Sequence, residues 1–285
     1  IFSFAPLTYF KSDFLKELIS SLNERPKLFA WYGANCGDEE IFRFFDLTLS
    51  NSKHLINSLR KKDIKAFFLQ HAFDPIILDK IKIPEERLNR VAFFGNLDIN
   101  TNDFRERTRL LEQVSDRLKL LDIYAALKTP SNREKLKYNL LKARQRLSSS
   151  LNQFVPNKRF DYWSDEQNLP PSPWVLGKKF CSRLKPPLYG QEMLQKLSEY
   201  KVTFNMHVAQ TGNYACNIRL LEATGVGTCL ITDKKIGNTS FLSIFNKYCA
   251  YDSKKDMIKK TDELLSNNLL NNQISEKLQQ QTVIK

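Results

Sequence analysis

Short apolar runs alternate with amphipathic helical segments along most of the 285-residue chain. The strand-like runs include residues 27–33 (KLFAWYG), 64–70 (IKAFFLQ) and 90–96 (RVAFFGN), whereas residues 52–62 (SKHLINSLRKK) have the apolar spacing of a helix. Strands that alternate with helices predict βα units, and therefore an α/β fold built on parallel sheets. The series restarts near residue 90, so we expect two α/β units joined by a connector at residues 75–89.

Three later segments depart from this alternation. Pro-rich ends predict a loop for Asn152–Pro187, and an Asn- and Gln-rich composition predicts helix ends and loop for Asn267–Gln281. Ser131–Ser150 is predicted to be a long basic amphipathic helix. Its apolar positions include Leu136, Leu140, Leu141 and Leu147.

Composition restricts the class of protein. Hydrophobic residues make up 42% of the chain and charged residues 26%, which predicts a packed core. The sequence contains no run of about 18 apolar residues and no visible signal peptide, so no membrane span is predicted. The five cysteines form no Cys-x-x-Cys pair and are odd in number. This usage argues against a disulfide framework or a zinc site and favours the reducing cytoplasm.

The net charge of +13 favours anionic partners such as nucleic acid, acidic lipid or phosphorylated small molecules. A solvated Lys-rich surface explains the charge equally well. The predicted helix Ser131–Ser150 concentrates basic residues, so it either lies against a membrane surface or presents a solvated face. Those basic residues are Arg133, Lys135, Lys137, Lys142, Arg144 and Arg146.

Residues 205–233 (NMHVAQTGNYACNIRLLEATGVGTCLITD) predict a strand, a polar loop, a helix, a Gly-x-Gly turn and a second strand. In open α/β sheets such loops bind ligands at the carboxyl ends of strands. Asn217 is a candidate N-cap. Arg219 and Glu222 share a helix face. An Arg in the first turn opposes the helix dipole unless it meets an anion such as a diphosphate, while Glu222 suits ribose hydroxyls. A local ion pair between the two is the alternative.

Three further residues stand at predicted strand ends. Gly95 follows a strand and would let a ligand approach the backbone closely. His71 and His207 are candidates for a general base or a phosphate partner, with a structural role as the alternative. The chain contains no HExxH, Walker A, GxSxG or GxGxxG motif, so metalloprotease, NTPase and serine-hydrolase functions have no support.

Residues 214–233 (YACNIRLLEATGVGTCLITD) resemble the signature of group-1-type glycosyltransferases, specifically the subfamily related to spore-maturation glycosyltransferase-like proteins. Three other stretches agree in order and spacing, and the resemblance covers about residues 45–265. They are LQHAFDPIIL (69–78), VAFFGNLD with RTRLLEQV (91–98 and 107–114) and PPLYGQEMLQKLSEYKVTFNMH (186–207).

The resemblance implies a GT-B fold, with two Rossmann-like parallel-sheet domains. An N-terminal acceptor-side domain would occupy residues 1–80 and be incomplete, because the chain begins at Ile1 in what resembles the middle of a fold. A nucleotide-sugar-binding domain would occupy residues 81–285. The candidate catalytic residues are His207, which the resemblance places near the donor, and His71, which follows a predicted strand. The implied donor-binding residues are Gly95, Asn205, Gly212, Asn213, Tyr214, Asn217, Arg219 and Glu222. Tyr214 replaces the first Glu of the Glu-x7-Glu pattern of many retaining relatives, which leaves the stereochemistry open.

The resemblance further implies a hexosyltransferase that uses a UDP- or GDP-linked donor and needs no metal or other cofactor. Nucleic acid is not an expected partner, because the sequence has no RRM, KH, OB or helix-turn-helix signature and its basic residues are dispersed. The acceptor would be a glycan, a lipid-linked molecule or a protein of the cell envelope, reached from the cytoplasm or from the inner face of the membrane. Three alternatives remain: a nucleic-acid-binding module, a non-catalytic GT-B-like protein that binds a sugar nucleotide or a partner, and a nucleotide-sugar epimerase.

Overall fold

The computed structural model describes residues 2–4, 10–33, 38–98, 102–118, 120–128, 131–154, 158–165, 176–207, 217–235 and 247–283. Contacts between residues divide the chain into two compact units. One contains Ile1–Ala92 together with Tyr189–Lys285, and the other contains Phe93–Leu188. The predicted domain boundary at residues 80–81 stays a prediction.

The first sheet has four strands in sequence order, all paired in parallel. They are β1 (Phe2–Phe4), β2 (Phe29–Trp31), β3 (Leu47–Ser50) and β4 (Ala66–Phe68). The connections contain α1 (Ser12–Ser20), a 3₁₀ turn (Glu40–Phe44) and α2 (Lys53–Lys61). The Ser52 hydroxyl accepts from the Leu55 N–H at 3.3 Å and caps α2. Buried residues from these elements, among them Ala30, Phe42 and Leu59, form one apolar core.

The second sheet has six strands: β5 (Leu88–Phe94), β7 (Leu121–Tyr124), β9 (Leu184–Lys185), β10 (Tyr200–Asn205), β11 (Cys229–Asp233) and β12 (Ala250–Tyr251). Their order across the sheet is β12-β11-β10-β5-β7-β9. The pairs β10–β11, β11–β12 and β7–β9 are parallel. Val202–Asn205 and Cys229–Thr232 are continuously buried, as expected for strands covered on both faces. The predicted α/β fold with parallel sheets is therefore confirmed.

Helices lie between the strands of the second sheet and after its last strand. They are α3 (Asn102–Ser115), α4 (Asn132–Phe154), α5 (Lys158–Ser164), α6 (Lys178–Cys181), α7 (Gly190–Ser198), α8 (Arg219–Gly225), α9 (Lys254–Ser266) and α10 (Asn268–Val283). Two short strands, β6 (Leu97–Asp98) and β8 (Leu127–Lys128), pair in parallel. None of the helices in the described residues combines the length and apolar character that a membrane crossing requires.

The loop predicted for Asn152–Pro187 is wrong in part, because α5, α6 and β9 lie within it. These elements are four to seven residues long, or two in the case of β9, and are too short to show a periodic apolar pattern. β9 forms because Leu184 pairs with Ile123 of β7, and these two residues are distant in sequence.

The prediction of helix ends and loop for Asn267–Gln281 is also wrong, because α10 covers this segment. Its buried positions Asn271, Ile274, Leu278 and Thr282 follow helical spacing. One of them is an asparagine whose carbonyl accepts from the buried Cys229 thiol at 3.3 Å. The Asn and Gln content obscured this stripe, because polar residues share its buried face.

Candidate functional site

The carboxyl ends of β10 and β11 bring polar side chains together at one sheet edge. Asn205 and Thr232 are paired in the parallel register, and the Asn205 amide donates to the Thr232 hydroxyl at 2.9 Å. The Asn217 amide donates to Oδ1 of Asn205 at 2.7 Å. Asn205 and Thr232 are buried, so this hydrogen-bonded chain holds Asn217 at the sheet edge.

Asn217 also orders the start of α8. Its Oδ1 accepts from the N–H of Arg219 at 2.9 Å, two residues further on. The helix begins at Arg219, so the predicted capping side chain lies one residue earlier than a standard N-cap. One side chain thus links the strand edge to the helix that carries Arg219 and Glu222.

Arg219 and Glu222 form the local ion pair that the sequence left open. Nη1 of Arg219 lies 2.7 Å from Oε2 of Glu222, and the two side chains are 15% and 20% exposed. Oε2 of Glu222 is buried, and its contact among the described residues is this ion pair with Arg219. The guanidinium also donates to Sδ of Met193 at 2.6 Å. Burial lowers the pKa of Arg219, and the neighbouring Glu222 carboxylate opposes that shift.

His207 is held by Asp233 at the same edge. Oδ1 of Asp233 lies 2.7 Å from Nδ1 of His207 and accepts from the His207 backbone N–H at 2.9 Å. Burial tends to raise the pKa of Asp233, but the hydrogen bonds and charge interaction with His207 outweigh it and leave that pKa lowered. The ionised carboxylate favours a proton on Nδ1. Nε2 of His207 is buried and has no hydrogen-bond partner among the described residues.

The other predicted residues have different surroundings. The His71 ring lies 5.3 Å from that of Trp31, and burial lowers the His71 pKa. Gly95 belongs to the unit Phe93–Leu188, where its N–H donates to the carbonyl of Tyr124 at 3.1 Å. A Cβ at Gly95 would lie 3.1 Å from the Phe93 ring, which is a packing reason for the glycine. The predicted donor-binding residues Gly212, Asn213 and Tyr214 lie outside the described residues.

The structure therefore brings together Asn205, His207, Asn217, Arg219 and Glu222 of the predicted set. Sequence reasoning did not select three of their partners: Met193, Thr232 and Asp233. The signal for the last two was present, since Thr-Asp ends a buried strand beside the strand that leads to His207. In the part of the chain that the structure describes, no group of three or more His, Cys, Asp or Glu side chains is arranged to hold a metal ion.

Solved structures similar to this chain include several glycosyltransferases. One is the S. aureus TarM G117R mutant in complex with fondaparinux, α-GlcNAc-glycerol and UDP, which matches with a TM-score of 0.56 and 9% sequence identity over 96% of this chain and 51% of that chain. A second is an α-glucosyltransferase in complex with UDP and a 13-mer DNA, which matches with a TM-score of 0.57 and 14% identity over 95% of this chain and 72% of that chain. A third is the pneumococcal O-GlcNAc transferase GtfA in complex with UDP and GlcNAc, which matches with a TM-score of 0.51 and 12% identity over 95% of this chain and 56% of that chain.

At these identities the likeness establishes the fold, which is that of the GT-B glycosyltransferases. The chain spans about half the length of TarM. No curated protein matches the sequence.

A family model described as glycosyl transferase-like matches residues 138–285, which is more than half of the chain and includes β10, α8 and β11. The spore-maturation subfamily stays a prediction. The sequence pattern, the sheet edge and the family model agree, and the chain belongs to the glycosyl transferase-like family.

Proposed function

We propose that this chain transfers a hexose from a UDP- or GDP-linked donor to a glycan, a lipid-linked molecule or a protein. In this proposal the donor binds where β10 and β11 end and α8 begins. The observation that carries the proposal is the partly buried ion pair Arg219–Glu222, which lies in the first turn of α8. The buried Nε2 of His207 supports it, because buried polar atoms usually have a hydrogen-bond partner and this atom has none among the described residues.

Each member of the pair suits one end of a nucleoside diphosphate. The carboxylate of Glu222 in α8 can accept hydrogen bonds from the hydroxyls of a ribose. Arg219 supplies a permanent positive charge and several N–H donors for a diphosphate. Because Asn217 holds the first turn of α8 against Asn205, both groups are positioned before a donor arrives.

His207 is the catalytic candidate that the described geometry favours. The Asp233 carboxylate fixes its ring through Nδ1, which leaves Nε2 to face a donor phosphate or sugar. His71 retains a role in the proposal as the second candidate, in ring contact with Trp31. The leaving diphosphate would be stabilised by Arg219 rather than by a metal ion. Three described cysteines are free thiols, which supports our proposal of a cytoplasmic location.

One observation favours a second function, that of a GT-B-like protein that binds a sugar nucleotide without catalysis. Tyr214 occupies the position of the first Glu of the Glu-x7-Glu pattern. A donor that binds without release of free nucleotide, with or without candidate acceptors, would support this function.

Calorimetric titration of UDP, GDP and their sugar conjugates tests the donor site. We expect one nucleotide to bind wild type, and Glu222→Gln to weaken it by about 1–3 kcal/mol through the lost charged acceptor. Glu276→Gln, which makes the same change at an exposed position of α10, is the matched control and should bind like wild type. If the nucleotide binds equally to both variants, the donor site lies elsewhere. If folded wild-type protein binds no nucleotide, the proposal is contradicted.

A nucleotide-release assay tests the role of His207. We expect His207→Gln to lower the turnover number by about 100-fold or more, as for loss of an acid–base group, with a smaller effect on donor affinity. Equal losses of turnover and affinity would instead assign His207 to binding alone.

A further inference from the structure

α4 exposes four of its five leucines and buries polar residues, which is the reverse of a helix that covers a core. Leu136, Leu140, Leu147 and Leu151 are 61%, 63%, 65% and 49% exposed. We call these four residues the leucine stripe. A single exposed leucine is ordinary, but four on one helix form a surface that calls for a partner.

The spacing places the leucine stripe on one side of α4. At about 100° per residue, the four leucines fall within roughly 60° of one another around the helix axis. The buried residues Gln145 and Ser148 lie on a different side, and the Gln145 amide donates to the carbonyl of Ser164 at 3.1 Å. α4 therefore packs against α5 through a polar face and turns the stripe to solvent.

Positive charge flanks the leucine stripe. Arg133, Lys137, Arg144 and Arg146 of α4 are exposed. Glu134 is the acidic residue in the sequence of this helix, and its carboxylate accepts from the backbone N–H and hydroxyl of Ser131 at the helix start. An apolar strip bordered by cations is typical of helices that lie in a membrane interface.

The adjoining helix α5 adds interfacial side chains. Tyr162 is 61% exposed, and the guanidinium of Arg144 lies 5.0 Å from the Trp163 ring centre. Tyr and Trp are enriched at the boundary between headgroups and hydrocarbon. The apolar, basic and aromatic groups are thus all contributed by one helical pair.

We propose that the α4–α5 pair lies on an anionic membrane surface. The leucine stripe enters the boundary between headgroups and acyl chains, and the flanking Arg and Lys side chains bind lipid phosphates. The excess of positive charge on α4 disfavours a second copy as the occupant, since a two-fold interface would bring the same cations together. The attachment is peripheral and reversible, because one interfacial helix buries little apolar area.

Vesicle co-sedimentation of the full chain tests the surface. We expect binding to vesicles of equal parts phosphatidylcholine and phosphatidylglycerol, and weak binding to phosphatidylcholine alone. Leu140→Gln combined with Leu147→Gln should weaken binding by about tenfold or more. Ile76→Gln combined with Leu269→Gln, at positions 51% and 70% exposed elsewhere, is the matched control and should bind like wild type. Circular dichroism and urea midpoints confirm that both variants fold.

A charge variant separates insertion from attraction to phosphate. Lys137→Gln combined with Arg146→Gln should lower affinity for the anionic vesicles by about tenfold or more, with little effect on the weak binding to neutral vesicles. The proposal is overturned by equal binding of wild type and the leucine variant, or by no vesicle binding at all. Self-association in light scattering that the leucine variant abolishes, without vesicle binding, would instead assign the stripe to a second copy.

Discussion

Asp233 is the residue on which the described site depends most, because Oδ1 of its carboxylate contacts both Nδ1 and the backbone N–H of His207. Because the pKa of Asp233 is lowered in the folded protein, the stability that this contact contributes depends on pH. A carboxylate with a folded pKa below its unfolded value of about 3.9 stabilises the fold above that pH and loses the effect as the pH falls through the folded value.

We therefore predict that Asp233→Asn lowers the free energy of unfolding at neutral pH by about 1–3 kcal/mol. The difference from wild type should shrink as the pH falls below about 4, because protonation then removes the same charge from wild type. Urea unfolding over a pH series measures this. Asp262→Asn, at an exposed position of α9, is the control and should show neither effect.

Gly225 is the last residue of α8, and a glycine is needed there because a side chain would not fit rather than because of the backbone conformation. A Cβ there would lie 2.4–2.7 Å from ring atoms of the buried Phe73, whereas Gly227 carries the positive φ of 75°. The two glycines of the predicted Gly-x-Gly turn, Gly225 and Gly227, thus have separate roles. The role of Gly225 is not visible in a local pattern, because Phe73 is distant in sequence.

We predict that Gly225→Ala lowers the free energy of unfolding by about 1–3 kcal/mol, the usual cost of overpacking. In Gly177→Ala the nearest atom outside the immediate neighbours, Oε1 of Glu112, would be 3.5 Å away, so that change should stay within about 0.5 kcal/mol. Chemical denaturation of both variants gives the comparison, and equal stabilities would show that the Phe73 ring moves aside easily.

At the level of helices and strands, sequence patterns predicted the contacts that form between residues close to one another in the chain. Arg219 and Glu222 lie within one helix turn, and Asn217 stands two residues before Arg219, so their contacts follow from spacing. Asp233 was missed because His207 is 26 residues away, and only the pairing of β10 with β11 brings them together. α10 was missed because its buried face includes Asn271 and Thr282 beside Ile274 and Leu278.

α10 should be a major source of stability despite its polar composition. Leu278 is completely buried and Leu269 is 70% exposed on the same helix. We predict that Leu278→Ala lowers the free energy of unfolding by about 2–5 kcal/mol and that Leu269→Ala changes it by less than about 0.5 kcal/mol. Urea denaturation measures both, and similar values would mean that α10 does not pack as described.

For the whole molecule, the net charge of +13 makes some binding to nucleic acid expected at low salt. We predict that oligonucleotide affinity falls by orders of magnitude between about 50 and 200 mM salt, as for binding through phosphate contacts alone. Nucleotide-sugar affinity should fall only a few-fold, because a buried site is screened less. Fluorescence anisotropy and calorimetry over one salt series compare the two. Salt-resistant oligonucleotide binding would revive the nucleic-acid-binding alternative.

The position of β5 in the sheet order affects how the chain is made. The carbonyl of Ala92 in β5 accepts from the Thr203 hydroxyl of β10, a partner 111 residues further along the chain. At about 5–20 residues per second, a ribosome needs on the order of ten seconds to supply that partner. During this time the run Val91–Phe94, which is buried in the finished protein, has one edge without its neighbour. The yield of folded protein should therefore depend on translation speed and on chaperones that cover this run.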